Sequence, residues 1–172
     1  MKITLLMGSP RKNGSTSAMA DAFVAGAESA GHEVVRFDVA KMDVKGCLGC
    51  EYCHVQGDGQ CIQQDDMQEI YPHLNDCDMI VFASPIYYFT MSAQIEAAIQ
   101  RVYCIGKPLK AKKAALLLTS GSPGVYDAAI AQFKGYTAYT GIADAGVITS
   151  NGEENGSEAK LYEVREFAKA LQ

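Results

Sequence analysis

Ile3-Thr4-Leu5-Leu6-Met7-Gly8-Ser9-Pro10-Arg11-Lys12-Asn13-Gly14-Ser15-Thr16-Ser17 is the stretch that decides the fold. Its first five residues form an apolar run without polar alternation, the pattern of a strand buried on both faces of a parallel sheet. Gly8 to Gly14 then supply turn residues and two cations. From Ser15 onward the pattern turns helical, with Ala18, Ala22, Val24, Ala25 and Ala27 before Gly31, a glycine placed to end the helix. Strand, polar turn and helix are the opening of a βαβ unit.

The alternation recurs along the chain. Apolar runs at residues 33–37, 79–83, 114–119 and 145–149 read as further strands. Residues 92–104, 125–139 and 157–171 read as helices, and residues 65–76 as a shorter one with Asp65 or Asp66 as N-cap. This order predicts a three-layer α/β sandwich around a five-stranded parallel sheet of order 2-1-3-4-5, with right-handed crossovers. The 172 residues suit a single domain over residues 1–172, interrupted by a cysteine-rich loop insertion at residues 40–64. Hydrophobic residues at 48% and charged residues at 20% exclude a disordered chain. A net charge of -5 argues against a nucleic-acid partner. No apolar run approaches the roughly 20 residues of a membrane span, so no membrane partner is expected. The first apolar run is too short for a signal peptide, which predicts a cytoplasmic protein whose six cysteines are not structural disulfides.

Ser-Pro occurs at Ser9-Pro10, Ser84-Pro85 and Ser122-Pro123, each after an expected strand and before an expected helix. Proline is expected to end each strand, because it cannot continue a ladder. All three turns then fall at the carboxyl edge of the sheet, where ligands of open α/β sheets bind. In the first turn Ser9, Ser15, Thr16 and Ser17 offer hydroxyls, Arg11 a bidentate charge and the helix start its free N–H groups, which together suit a phosphate. Neither a P-loop nor a G-x-G-x-x-G fingerprint is present. The second turn, Pro85-Ile86-Tyr87-Tyr88-Phe89, reads as a wall for a flat aromatic ligand. The third, Ser120-Gly121-Ser122-Pro123-Gly124 with Tyr126, lets backbone approach closely and places a ring that would cover a ligand face. A phosphate nest plus two ring-binding loops implies a phosphorylated, flat, aromatic cofactor.

These three loops, together with the cysteine loop ending in Asp65-Asp66-Met67, resemble those of the NAD(P)H-dependent FMN reductases of the flavodoxin-like superfamily, and especially their iron–sulfur flavoprotein relatives. The resemblance implies a flavodoxin-like fold. It implies that Ser9, Arg11, Asn13, Ser15 and Thr16 hold the FMN phosphate, and that Pro85, Ile86, Tyr87, Tyr88 and Phe89 with Ser120, Gly121, Ser122 and Gly124 line the isoalloxazine. It further implies a homodimer or homotetramer with flavin near the subunit interface, where exposed aromatics and Tyr126 would be covered. NAD(P)H would be the co-substrate, and a small quinone, azo or nitro compound or free flavin the acceptor.

Cys47, Cys50, Cys53 and Cys61 form C-x2-C-x2-C-x7-C. The close run suits a [4Fe–4S] cluster, as in the similar relatives; a structural zinc or free thiols in a gating loop are the other readings. Cys77 and Cys104 read as buried packing residues, His32 and His54 as surface residues. No side-chain acid–base or nucleophile constellation is signalled, so no catalytic side chain is expected. A second functional class stays open: a non-enzymatic flavin electron carrier, with or without a cluster, serving a redox protein partner. A nucleotide-binding regulator without redox function is the third.

Overall fold

The computed structural model describes every residue except 107 and 108. Five long strands form one sheet: β1 (Lys2–Met7), β2 (Glu33–Phe37), β3 (Met79–Tyr87), β5 (Lys113–Ser120) and β6 (Ala143–Asn151). A two-residue strand, β4 (Thr90–Met91), pairs antiparallel with the end of β3. The long strands run parallel in the order β2-β1-β3-β5-β6. With β4 set aside, this is the predicted 2-1-3-4-5. The helices are α1 (Ser15–Ser29), α2 (Tyr52–Val55), α3 (Met67–Asp76), α4 (Ala93–Arg101), α5 (Asp127–Thr140) and α6 (Glu158–Lys169).

The runs lack polar alternation because both faces of the sheet are covered. Leu6, Ile80, Phe82, Leu116 and Leu118 pack with α3, α4 and α5. Leu5, Met7, Val81, Leu117 and Ile148 pack on the other face with α1 and α6. Residue parity along each strand thus decides which layer a side chain joins. At the end of α1 the cap is Ala30; Gly31 follows it at φ +82°, and the N–H groups of Gly31 and His32 close on the carbonyls of Glu28 and Ala27. His32 is also less free than expected, since its ring bonds the N-terminal amine and the Leu171 carbonyl.

One expectation is overturned. β3 does not stop at Ala83 but runs through Pro85 and Ile86 to Tyr87. Ladder parity explains why. The Ala83 carbonyl faces β1, where it accepts from the Gly8 N–H. Pro85, two residues on, faces the same side, but β1 has ended opposite Ala83. Its missing N–H therefore costs no ladder bond. β4 follows in the lane that β1 leaves, and the hydroxyl of Ser92 just after it donates to the Gly8 carbonyl at 2.6 Å. The cysteine loop also contains more structure than expected: a 3-10 turn at Val39–Lys41 and the short helix α2.

Candidate functional site

At the carboxyl edge of the sheet, three distant segments enclose a recess of about 160 Å³. Ser9, Arg11, Gly14, Ser15 and Thr16 come from the first turn, Pro85, Ile86 and Tyr87 from the end of β3, and Thr119, Ser120 and Gly121 from the end of β5, with Asn155 closing it from beyond β6. α1 starts here with Gly14 as N-cap, no side-chain cap and no acid in its first turn. Its leading N–H groups and positive dipole end are thus left for an anion. Ser9 is buried, and its Oγ accepts from the Arg11 N–H at 3.3 Å, which folds the turn back over the helix start. Thr16 and Thr119 share a 2.6 Å hydroxyl contact that ties the first segment to the third.

The residues that sequence reasoning grouped are not all at this surface. Ser17 faces the other way: its Oγ accepts from Arg36 Nη2 at 2.9 Å, because one step along α1 turns the side chain about 100° from Thr16. Asn13, Ser122 and Gly124 lie outside the lining. Tyr88 and Phe89 form the tip of the β3–β4 hairpin, exposed at 95% and 56%, both with positive φ (51° and 73°). Tyr126, expected to be an exposed ring cover, is instead buried. Its hydroxyl meets Ser120 Oγ at 2.7 Å and donates to the Ser150 carbonyl at 2.8 Å, bracing β5 against β6.

Sequence reasoning missed Thr119 and Asn155. Asn155 Nδ2 donates to the Ser120 carbonyl at 2.7 Å, while its Oδ1 is buried with no partner. Only its position after a strand at the binding edge hinted at this, and the residue reads as part of a polar turn.

Cys47, Cys50, Cys53 and Cys61 line a second, narrower recess together with Cys104 and Arg101. Cys104 is buried as expected, but it belongs to this recess rather than to the core alone. Its thiol donates to the Gly59 carbonyl at 3.1 Å, and burial together with the neighbouring Cys53 and Cys61 pushes it up to about 11. Among the described residues, no three His, Cys, Asp or Glu side chains are arranged to hold a metal ion. The loop is anchored by a buried ion pair. Arg101 contacts Asp65 through both carboxylate oxygens, at 2.6 and 3.1 Å, and donates to the Lys45 carbonyl at 3.0 Å. Burial alone would raise the Asp65 carboxyl, but Arg101 and the amides of Lys45 and Met67 outweigh it and hold it below the usual carboxylate range. A larger cavity of about 550 Å³, lined by Tyr103, Tyr136 and Tyr139 among others, contains none of the residues of either recess except Glu51 and Tyr103 of the cysteine one.

The recess at the carboxyl edge, with its uncapped helix start and hydroxyl cluster, is the arrangement that the three-loop pattern implied. A family model of NADPH-dependent FMN reductases matches residues 1–155. The chain belongs to that family. Among curated relatives, an iron–sulfur flavoprotein of Archaeoglobus fulgidus is 36% identical over 106 residues, 62% of this chain and 47% of the relative. An iron–sulfur flavoprotein of Methanosarcina thermophila is 33% identical over 125 residues, 71% of this chain and 64% of the relative. The chain spans about half the length of most curated relatives it matches. The fold is shared with an NAD(P)H:quinone oxidoreductase from Methanothermobacter marburgensis, at TM-score 0.80 and 18% identity over 100% of this chain and 96% of that one. Among the described residues of this FMN reductase family member, no helix is long and apolar enough to cross a membrane.

Proposed function

We propose that the carboxyl-edge recess holds FMN and that the chain is an NAD(P)H-dependent oxidoreductase acting on a small acceptor such as a quinone, an azo or nitro compound, or free flavin. The observation that carries this reading is the convergence of Ser9, Arg11 and Gly14 to Thr16 with residues 85–87 and 119–121 around one hydroxyl-lined recess at the start of α1. FMN supplies hydride acceptance from the nicotinamide at N5 and onward delivery to the acceptor. The chain's residues bind and orient. The α1 N-terminus, Ser9, Ser15, Thr16 and Arg11 hold the phosphate, and Pro85 to Tyr87 and Ser120 to Gly121 form the walls beyond it. At about 160 Å³ the recess is smaller than the roughly 300–1,000 Å³ that encloses a drug-sized ligand. A bound FMN would exceed this volume, so part of it would stay available to a nicotinamide, an acceptor or a second subunit. The exposed Tyr88 and Phe89 beside it support a homodimer or homotetramer. The test is oxidation of NADH or NADPH by the FMN-loaded protein with a quinone present. Inactivity with both nucleotides rejects the enzyme reading.

A second reading rests on the four cysteines that share one recess. With a [4Fe–4S] cluster held by Cys47, Cys50, Cys53 and Cys61, the protein would be an electron carrier for a redox protein partner. The shared recess and the iron–sulfur flavoprotein name of several relatives support this, but among the described residues the four cysteines are not arranged as a metal-binding group, so holding a cluster would require the loop to rearrange. Iron and sulfide analysis after anaerobic purification, combined with turnover assays, separates carrier from reductase. A colourless protein that takes up no flavin would instead favour a non-redox regulator.

A further inference from the structure

We infer that Asn155 selects the cofactor by accepting a hydrogen bond from a hydroxyl of its ribityl chain. This rests on the FMN reading above. The side-chain amide is fixed in orientation: Nδ2 donates to the Ser120 carbonyl at 2.7 Å, so Oδ1 must face the other way. That oxygen is buried and has no partner, on a residue that lines the recess. A buried acceptor left unpaired costs about 1–3 kcal/mol, and native proteins rarely tolerate one without a use.

The surroundings say what that use is. The other polar groups of the recess suit an anion: the uncapped α1 start, the Arg11 guanidinium and the hydroxyls of Ser9, Ser15 and Thr16. An anionic phosphate offers only acceptors, so it cannot satisfy Oδ1. The complementary group must be a donor elsewhere on the same ligand. Its place follows from the chain of contacts. Thr16, at the phosphate end, meets Thr119 at 2.6 Å; Ser120 is the next residue, and Asn155 is bonded to its carbonyl. Asn155 thus stands one residue beyond the Thr16–Thr119 contact at the phosphate end, next to where the linker leaves the phosphate. The donors on that linker are hydroxyls. Asn155 is therefore a binding and specificity residue: it distinguishes a hydroxylated linker from an apolar one, while the α1 start recognises the phosphate.

The full chain is titrated with FMN and with FMN analogues that each lack one ribityl hydroxyl, read by flavin fluorescence. The wild-type protein is expected to bind one analogue about tenfold more weakly than FMN, the worth of one buried hydrogen bond. Asn155→Ala is expected to bind FMN about tenfold more weakly and to lose discrimination against that same analogue. Equal wild-type affinity for FMN and all analogues overturns the inference. So does a folded Asn155→Ala protein that still discriminates as the wild type does. Should the variant fail to fold, the wild-type analogue series decides alone. Failure of the wild-type protein to bind FMN at all rejects the FMN reading itself, a result distinct from uniform binding of the analogues.

Discussion

The two recesses are built by opposite means. The carboxyl-edge recess takes its walls from the ends of β1, β3 and β5, whose spacing the sheet sets, and its members are tied across strands by Thr16–Thr119 and Tyr126–Ser150. The cysteine recess hangs on a long connection between β2 and α3 and is held in place by the Arg101–Asp65 pair, which also grips Lys45. One site inherits its geometry from the fold. The other is held by a buried charge pair together with side-chain contacts from Cys104 to the Gly59 carbonyl and from Tyr103 to Glu51, none of which touches the first recess.

Five variants break or sharpen this contrast. The largest effect is expected from Arg101→Met, which leaves the Asp65 carboxylate buried and alone; breaking such a pair costs about 3–5 kcal/mol in urea unfolding. FMN affinity of the folded fraction should change less than about twofold, and a proportional loss of FMN would erase the distinction between the two recesses. The double variant Arg101→Met with Asp65→Leu should recover much of that stability, because no charge is then stranded. The pair also gives a pH signature. Asp65 titrates lower when folded, so its contribution is complete above its unfolded value near 3.9 and is lost as pH falls through the folded value. Wild-type acid unfolding should show this loss, and the double variant should not.

Next is Arg11→Ala, expected to weaken FMN by about tenfold or more while leaving riboflavin affinity unchanged, as removal of one charge-assisted phosphate contact would. Equal losses for both flavins would place Arg11 away from the phosphate. Gly8→Ala follows. A Cβ there would stand 2.5 Å from Ile95 Cβ and 2.8 Å from Ser92 Oγ, so about 1–3 kcal/mol of stability should be lost, measured by thermal melting. The smallest effect, of opposite sign, is Phe89→Gly. It relieves a bulky residue from positive φ and should raise stability by about 1 kcal/mol. If that aromatic tip covers flavin or a second subunit, turnover or assembly should fall as stability rises.

The sheet was legible because both of its faces are buried, which leaves uninterrupted apolar runs. Three of the walls of the carboxyl-edge recess were legible because strand ends at one edge must converge. What escaped was governed by contacts between residues far apart in sequence. Ser17 and Thr16 look alike in sequence, and only the partner Arg36 on β2 shows that one of them faces away. Asp65 was readable as a helix cap, and its carboxylate does accept from the Met67 N–H at 3.2 Å, but nothing local announced Arg101 36 residues later. Pro85 misled because the rule that proline ends strands assumes a neighbour on both sides. Asn155 had only its place after a strand at the binding edge as a signal, since its side chain is oriented by the Ser120 carbonyl 35 residues away.

Pro85 has a consequence for the company this protein keeps. Between the last rung of β1, at Ala83, and the first of β4, at Ile86, Ser84 and Pro85 lack a partner on this flank of β3, and Pro85 is the one that faces it. A bare flank is where a foreign segment can zip on and start aggregation. Here the intruder meets an imino ring with no hydrogen to offer, so the hand-over between two strands also works as a seal against mispairing.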